Sequence, residues 1–151
     1  SAASDVYKRQ EVLWHLAPDL EQLNITSAIN LISEVILDPS TKSITAKILG
    51  SRPLRMKIEF MSINQDGQLN GYCDISVEKK DRHLVPRDKT LQWAPMRFKG
   101  MFVNGKVNGI ALVFTDNFSF GWMTLKDGIL HGPCALYGIQ ALLPVRKKIG
   151  S

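Results

Sequence analysis

The stretch Phe98-Lys99-Gly100-Met101-Phe102-Val103-Asn104-Gly105-Lys106-Val107-Asn108-Gly109 decides the fold of this chain. Asn104-Gly105 supplies the positive φ angles that a tight hairpin turn demands, because glycine has no Cβ and asparagine tolerates the left-handed region. Apolar residues alternate before the turn, and Ile110-Ala111-Leu112-Val113-Phe114 follows it. Aromatic and β-branched residues in such runs are the strand signal. One unit is therefore a two-stranded hairpin, which alone is marginal in water.

The motif recurs. Asp66-Gly67-Gln68-Leu69-Asn70-Gly71, Asn104-Gly105-Lys106-Val107-Asn108-Gly109 and Asp127-Gly128-Ile129-Leu130-His131-Gly132 all read Asx-Gly, any residue, Leu or Val, Asn or His, then Gly. The second and third copies start 23 residues apart and the first two 38 apart, one period plus an insert of 15. A period in this range is the signature of stacked repeats, in which neighbouring hairpins bury a face that no single unit could.

These residues resemble the MORN repeat, whose pattern is an aromatic, any residue, Gly, any residue, an aromatic, then Asn-Gly-Lys and a closing Asn-Gly or His-Gly. Phe98, Gly100, Phe102, Asn104, Gly105, Lys106, Asn108 and Gly109 match it position by position. The next copy keeps Asp127, Gly128, His131 and Gly132, with Gly121, Met123 and Leu125 where an aromatic, a glycine and an aromatic belong. The first copy keeps Phe60, Asp66, Gly67, Asn70 and Gly71. About half of the chain is covered. The tails Gly71-Tyr72-Cys73-Asp74-Ile75 and His131-Gly132-Pro133-Cys134-Ala135-Leu136-Tyr137 look most like repeats that precede the catalytic domain in one group of histone-lysine methyltransferases. The fold expected is mainly β: an antiparallel sheet of stacked hairpins, an open MORN-like sheet or solenoid, with an irregular or partly helical N-terminal cap.

Length and composition set the bounds. The 151 residues make one domain's worth of chain, 44% hydrophobic. No apolar run approaches the roughly 18 residues of a membrane-spanning helix, and no secretory signal stands near the start. The net charge of +5 permits contact with anionic lipid or nucleic acid without requiring it. The chain begins at Ser1 without methionine, so a fragment or a processed product is expected. Ser4-Asp5-Val6-Tyr7-Lys8-Arg9-Gln10 resembles translated sequencing-adaptor read-through, so residues 1–10 are expected to be non-native or disordered. The single domain is then 11–151: a cap and hairpin over 11–53, repeats over 54–140 with an insert at 78–95, and a basic tail at 141–151.

Within the cap, Leu13, Trp14, Leu16 and Leu20 suit the open end of a repeat stack. Strand is expected over 28–37, a turn at Asp38-Pro39-Ser40-Thr41-Lys42-Ser43, and strand again from Ile44 to Leu49. From Leu54 the alternation Leu54, Met56, Ile58, Phe60 against Arg55, Lys57, Glu59, Met61 reads as a half-solvated strand, with Phe60 on the apolar side. Cys73, Ala111 and Cys134 fall two residues after a closing glycine, one structural position seen three times. With strands ~4.8 Å apart, Cys73 and Cys134 are about 20 Å apart, too far for a disulfide, which needs Cα atoms within ~7 Å. Compartment is not legible from cysteine usage. Asn24-Ile25-Thr26 and Asn117-Phe118-Ser119 are chance-level glycosylation tripeptides, and a cytoplasmic location is favoured.

No catalytic residues, metal ligands or cofactor site are expected. There is no Gly-x-Ser-x-Gly elbow, no phosphate-binding glycine loop and no His-Glu-x-x-His, and His15, His83 and His131 lack metal-ligand spacing. The candidate sites are binding surfaces. Phe98, Phe102, Phe114, Phe120, Trp122 and Tyr137 place aromatics on successive strands, either a groove for a partner protein or plain cross-strand packing. Lys79, Lys80, Arg82, Arg87 and Lys89 in the insert form a rim for an anionic membrane surface, or a solvated charged loop. The resemblance implies a non-catalytic scaffold that attaches proteins to each other or to membranes. The alternative is the accessory repeat region of a larger enzyme, a lysine methyltransferase or a lipid kinase, whose catalytic domain lies elsewhere. Nucleic-acid binding ranks third, for want of an interleaved aromatic and basic motif.

Overall fold

The computed structural model describes residues 21–89, 91, 93–115 and 120–137. Among these, nine strands follow in order: β1 Glu21–Asn30, β2 Ile32–Asp38, β3 Ser43–Ile48, β4 Leu54–Phe60, β5 Gly71–Val77, β6 Arg97–Val103, β7 Lys106–Phe114, β8 Phe120–Lys126 and β9 Ile129–Tyr137. All pair antiparallel in one sheet of order β1-β9-β8-β7-β6-β5-β4-β3-β2, which curls into a half-barrel of hairpins. The mainly β, hairpin-stacked architecture read from the repeats is the one observed. The expected cap over 11–20 and the tail over 141–151 lie outside the described residues.

The repeat motif has a physical meaning in the turns. Asn104 and Gly105 take φ of 49° and 84°, and Asp127 and Gly128 take 52° and 80°, left-handed at both positions as tight hairpin turns require. Each turn is then tied to the previous repeat. The Asn104 N–H donates to Asn70 Oδ1 at 3.0 Å, and the Asp127 N–H to Asn108 Oδ1 at 3.0 Å. Alongside, the Gly105 N–H donates to the Leu69 carbonyl at 2.7 Å and the Gly128 N–H to the Val107 carbonyl at 2.9 Å. The closing asparagine of one repeat thus caps the turn of the next. The first copy differs: Asn64 Oδ1 accepts from the N–H groups of Asp66 and Gln68 at 3.0 Å each, bracing a wider loop.

The inner face of the sheet is the core. Cys73, Ala111, Met123 and Cys134 lie in one row across it, all buried, with Gly100 between the first two. A Cβ on Gly100 would sit 2.8 Å from that of Ala111, so only glycine lets the two strands pack there. Cys73 and Cys134 are not joined by a disulfide and have three strands between them. Phe98 and Phe102 fill the centre, each burial stabilising by about 2 kcal/mol or more.

β1 and β2 stand at opposite edges of the sheet although only Leu31 separates them in sequence. Leu31 joins the edges: its N–H donates to the Gly128 carbonyl at 3.0 Å and its carbonyl accepts from the Leu49 N–H at 3.0 Å. Gly128 lies so close to the Ile32 carbonyl that no Cβ fits. The strand expected over 28–37 is therefore two strands, split where the chain crosses from one edge to the other. A single run of apolar residues carries no mark of that crossing.

Two further expectations are corrected by local geometry. The β4–β5 register shifts between Ile58 and Phe60, a bulge that pairs Phe60 with Asp74 on the outer face. Phe60 is accordingly 54% exposed instead of facing the core. The 78–95 insert is also less loose than its prolines suggest. It opens with a 3-10 helix, Lys79–Leu84, and then buries Leu91, Trp93 and Met96 against the core, with the Val77 N–H bonded to the Met96 carbonyl at 2.7 Å.

Candidate functional site

The strand pairings divide the six candidate aromatics between two faces. Phe98 and Phe102 point inward and are fully buried, so they belong to the core and touch no solvent-borne partner. Phe114, Phe120 and Trp122 alternate the other way, out of register with buried Val113, Gly121 and Met123, and lie partly exposed on the outer face. Tyr137 pairs with Phe120 through the backbone. The face that a partner can reach therefore holds half of the named aromatics.

That outer cluster is ordered by charge as well as by stacking. The Phe114 and Phe120 rings stack with centroids 5.5 Å apart and planes at 29°. The Arg97 guanidinium lies 5.4 Å from the Phe114 centroid and Lys99 Nζ 6.0 Å from it, both within cation–π range. Arg97 is fixed by a bidentate pair with Asp74, Nε to Oδ1 at 2.8 Å and Nη2 to Oδ2 at 2.6 Å. Donating those hydrogen bonds to Asp74 raises the Arg97 pKa, so the guanidinium holds its proton more tightly than usual. The Asp74 side chain is 8% exposed and that of Arg97 38%, so a buried carboxylate anchors a guanidinium that still reaches solvent.

The five insert cations are all exposed. Lys79, Lys80 and Arg82 stand on the 3-10 helix, and Arg87 and Lys89 on the segment after it. The helix is pinned to the sheet by Asp81, whose Oδ2 accepts from the Arg55 N–H at 3.0 Å, and by Arg82 Nε donating to the Val77 carbonyl at 3.4 Å. Lys80 approaches Glu78 at 3.9 Å, an exposed pair that contributes little. The turn carrying Arg87 and Lys89 is closed by Asp88, whose Oδ2 accepts from the Leu91 N–H at 2.8 Å. Trp93 is in the core beneath this loop.

Nothing in the described residues gathers three or more His, Cys, Asp or Glu side chains into a metal-binding group. Burial pushes the Cys73 thiol up, which keeps it neutral at pH 7 and poorly nucleophilic. His131 is exposed on β9.

No protein-family model, curated protein or solved structure matches this chain. What the outer face binds is then a question for its own chemistry. Here the structure adds residues outside the candidate surfaces read from the sequence. Phe60, Ile63 and Val103 are large apolar side chains left 54%, 51% and 49% exposed. Phe60 is turned out by the β4 bulge, Ile63 stands in the loop after it, and Val103 ends β6. The bulge is set by pairing with β5, and strict alternation along β4 gives no sign of it.

Proposed function

We propose that this chain is a non-catalytic binding or scaffold module of MORN-like hairpin repeats, attaching a partner protein or a membrane surface through the outer face of its sheet. The observation that carries this reading is the contrast between the faces. The inner face is filled by its own side chains, whereas the outer face presents Phe114, Phe120 and Trp122 beside an Arg97 held in place by Asp74. Aromatics and arginine are the residue types enriched at interaction hot spots. The ladder from Asn70 to Asn104 and from Asn108 to Asp127 supports the repeat assignment, because it gives the motif's Asx and Asn positions one shared role. The insert cations supply an electrostatic rim suited to anionic lipid.

Affinity capture from lysate with the full chain, beside a Phe114→Ala/Trp122→Ala variant shown to fold by circular dichroism, tests the aromatic cluster. A protein retained by the parent and lost from the folded variant is the expected outcome. Equal capture by both would remove the cluster from the binding surface. Retention on phosphatidylserine vesicles, compared with a variant carrying Gln at Lys79, Lys80, Arg82, Arg87 and Lys89, tests the rim. The expected result is weaker retention by the variant and a steep fall with salt; unchanged retention rules the rim out.

A further inference from the structure

A second apolar area lies on the outer face, apart from the Phe114 cluster. Phe60 packs on Tyr72 with ring centroids 5.6 Å apart, and Tyr72 is the cross-strand partner of Met101. Two positions further along β6 comes Val103, and Asn64 Nδ2 donates to Asn104 Oδ1 at 3.0 Å, which ties the loop that holds Ile63 to the turn after Val103. Phe60, Tyr72, Met101 and Val103 thus follow one another on the outer face as an apolar patch, with Phe60 54% and Val103 49% exposed. Such an area, facing water in a sheet whose alternation would otherwise hide Phe60, marks an interaction surface.

Charge identifies the partner. On β4 to β8 the outer face carries Arg55, Lys57, Arg97, Lys99, Lys106 and Lys126. Against them stand only Glu59 and Asp74 on the same strands, and each is already paired, Glu59 with Lys57 at 3.0 Å and Asp74 with Arg97. Strands β4 to β8 therefore carry four more cations than acids, with Lys106 directly opposite Val103 in the patch. We propose that this patch docks an acidic amphipathic segment of a partner protein, its apolar side chains on Phe60, Tyr72 and Val103 and its carboxylates on the surrounding cations. The proposal rests on the reading of the chain as a binding module and names a site and partner chemistry for it. A second copy of this chain is a poor occupant, since it would bring the same positive face.

The test is panning a random-peptide display library on the immobilised full chain. The expected consensus combines Asp and Glu with aromatic or aliphatic residues. Binding of the consensus peptide should fall about tenfold or more with Phe60→Ser/Val103→Ser, and severalfold with Lys106→Glu. These side chains are exposed, so the variants keep the parent circular dichroism. No enrichment, a neutral or basic consensus, or a peptide indifferent to Phe60→Ser/Val103→Ser overturns the proposal. So does self-association in analytical ultracentrifugation that Phe60→Ser abolishes, which would assign the patch to a second copy. Loss of phosphatidylserine-vesicle binding on Phe60→Ser would assign it to a membrane instead. If the peptide result fails while the Phe114→Ala/Trp122→Ala variant still loses its partner, the binding-module reading stands and only this patch is wrong.

Discussion

Phe102 and Phe114 sit on adjacent strands of one hairpin and face opposite ways. Phe102 is closed in by Val107 across the hairpin and by the row of the core, whereas Phe114 stacks on Phe120 in reach of water and is covered on one side by Arg97. The same residue type is a structural element on one face and a contact element on the other. In a one-layer sheet the inner face supplies nearly all of the stability, and the outer face is left free to change its chemistry.

The contrast can be broken most directly by truncating both rings. Phe102→Ala should lower unfolding free energy by about 3–5 kcal/mol, the cost of a large core cavity, and Phe114→Ala by about 1 kcal/mol. Urea denaturation of the two variants gives the comparison; equal losses would mean that the outer cluster is as much a core as the inner one. A smaller effect than that of Phe102→Ala is expected where charge orders the outer face. Asp74→Ala leaves Arg97 without its carboxylate, but Arg97 is partly solvated and can rehydrate, so the loss should be about 1–2 kcal/mol instead of the larger cost of a fully buried pair. The same variant should loosen the Arg97 to Phe114 contact, visible as a shift of the Phe114 ring resonances. The exposed ladder between repeats should matter about as little as the Phe114 ring. Asn108→Ala removes the cap on the Asp127 N–H and should cost about 1 kcal/mol, with faster amide exchange confined to the 127–128 turn. Exchange unchanged there would show that the ladder follows from the stacking and does not contribute to it.

Much of this was legible in the chain. Asn104-Gly105 and Asp127-Gly128 mark two hairpins without ambiguity, because few residues tolerate two consecutive left-handed positions. The equivalence of Cys73, Ala111 and Cys134 follows from counting from each closing glycine, and the three share one row of the sheet. What was hidden depends on partners distant in sequence. The bulge that exposes Phe60 is imposed by β5, the burial of Trp93 by the core beneath the insert, and the crossing at Leu31 by a turn at Gly128 nearly a hundred residues later. The aromatics could be listed from the sequence, but their division into two faces needs the register of every strand between them.

The crossing at Leu31 also orders events in time. During synthesis β1 emerges before any other described strand, yet its ladder partner β9 is the last to be made, Glu21 pairing with Leu136. The hairpins from β3 to β9 can zip up in sequence as they appear, each closing a short loop. β1 cannot dock until the whole array exists, and Leu31 cannot bond Gly128 until its turn has formed. The first strand to appear is thus the last to be placed, and its docking reports that every repeat behind it has been completed.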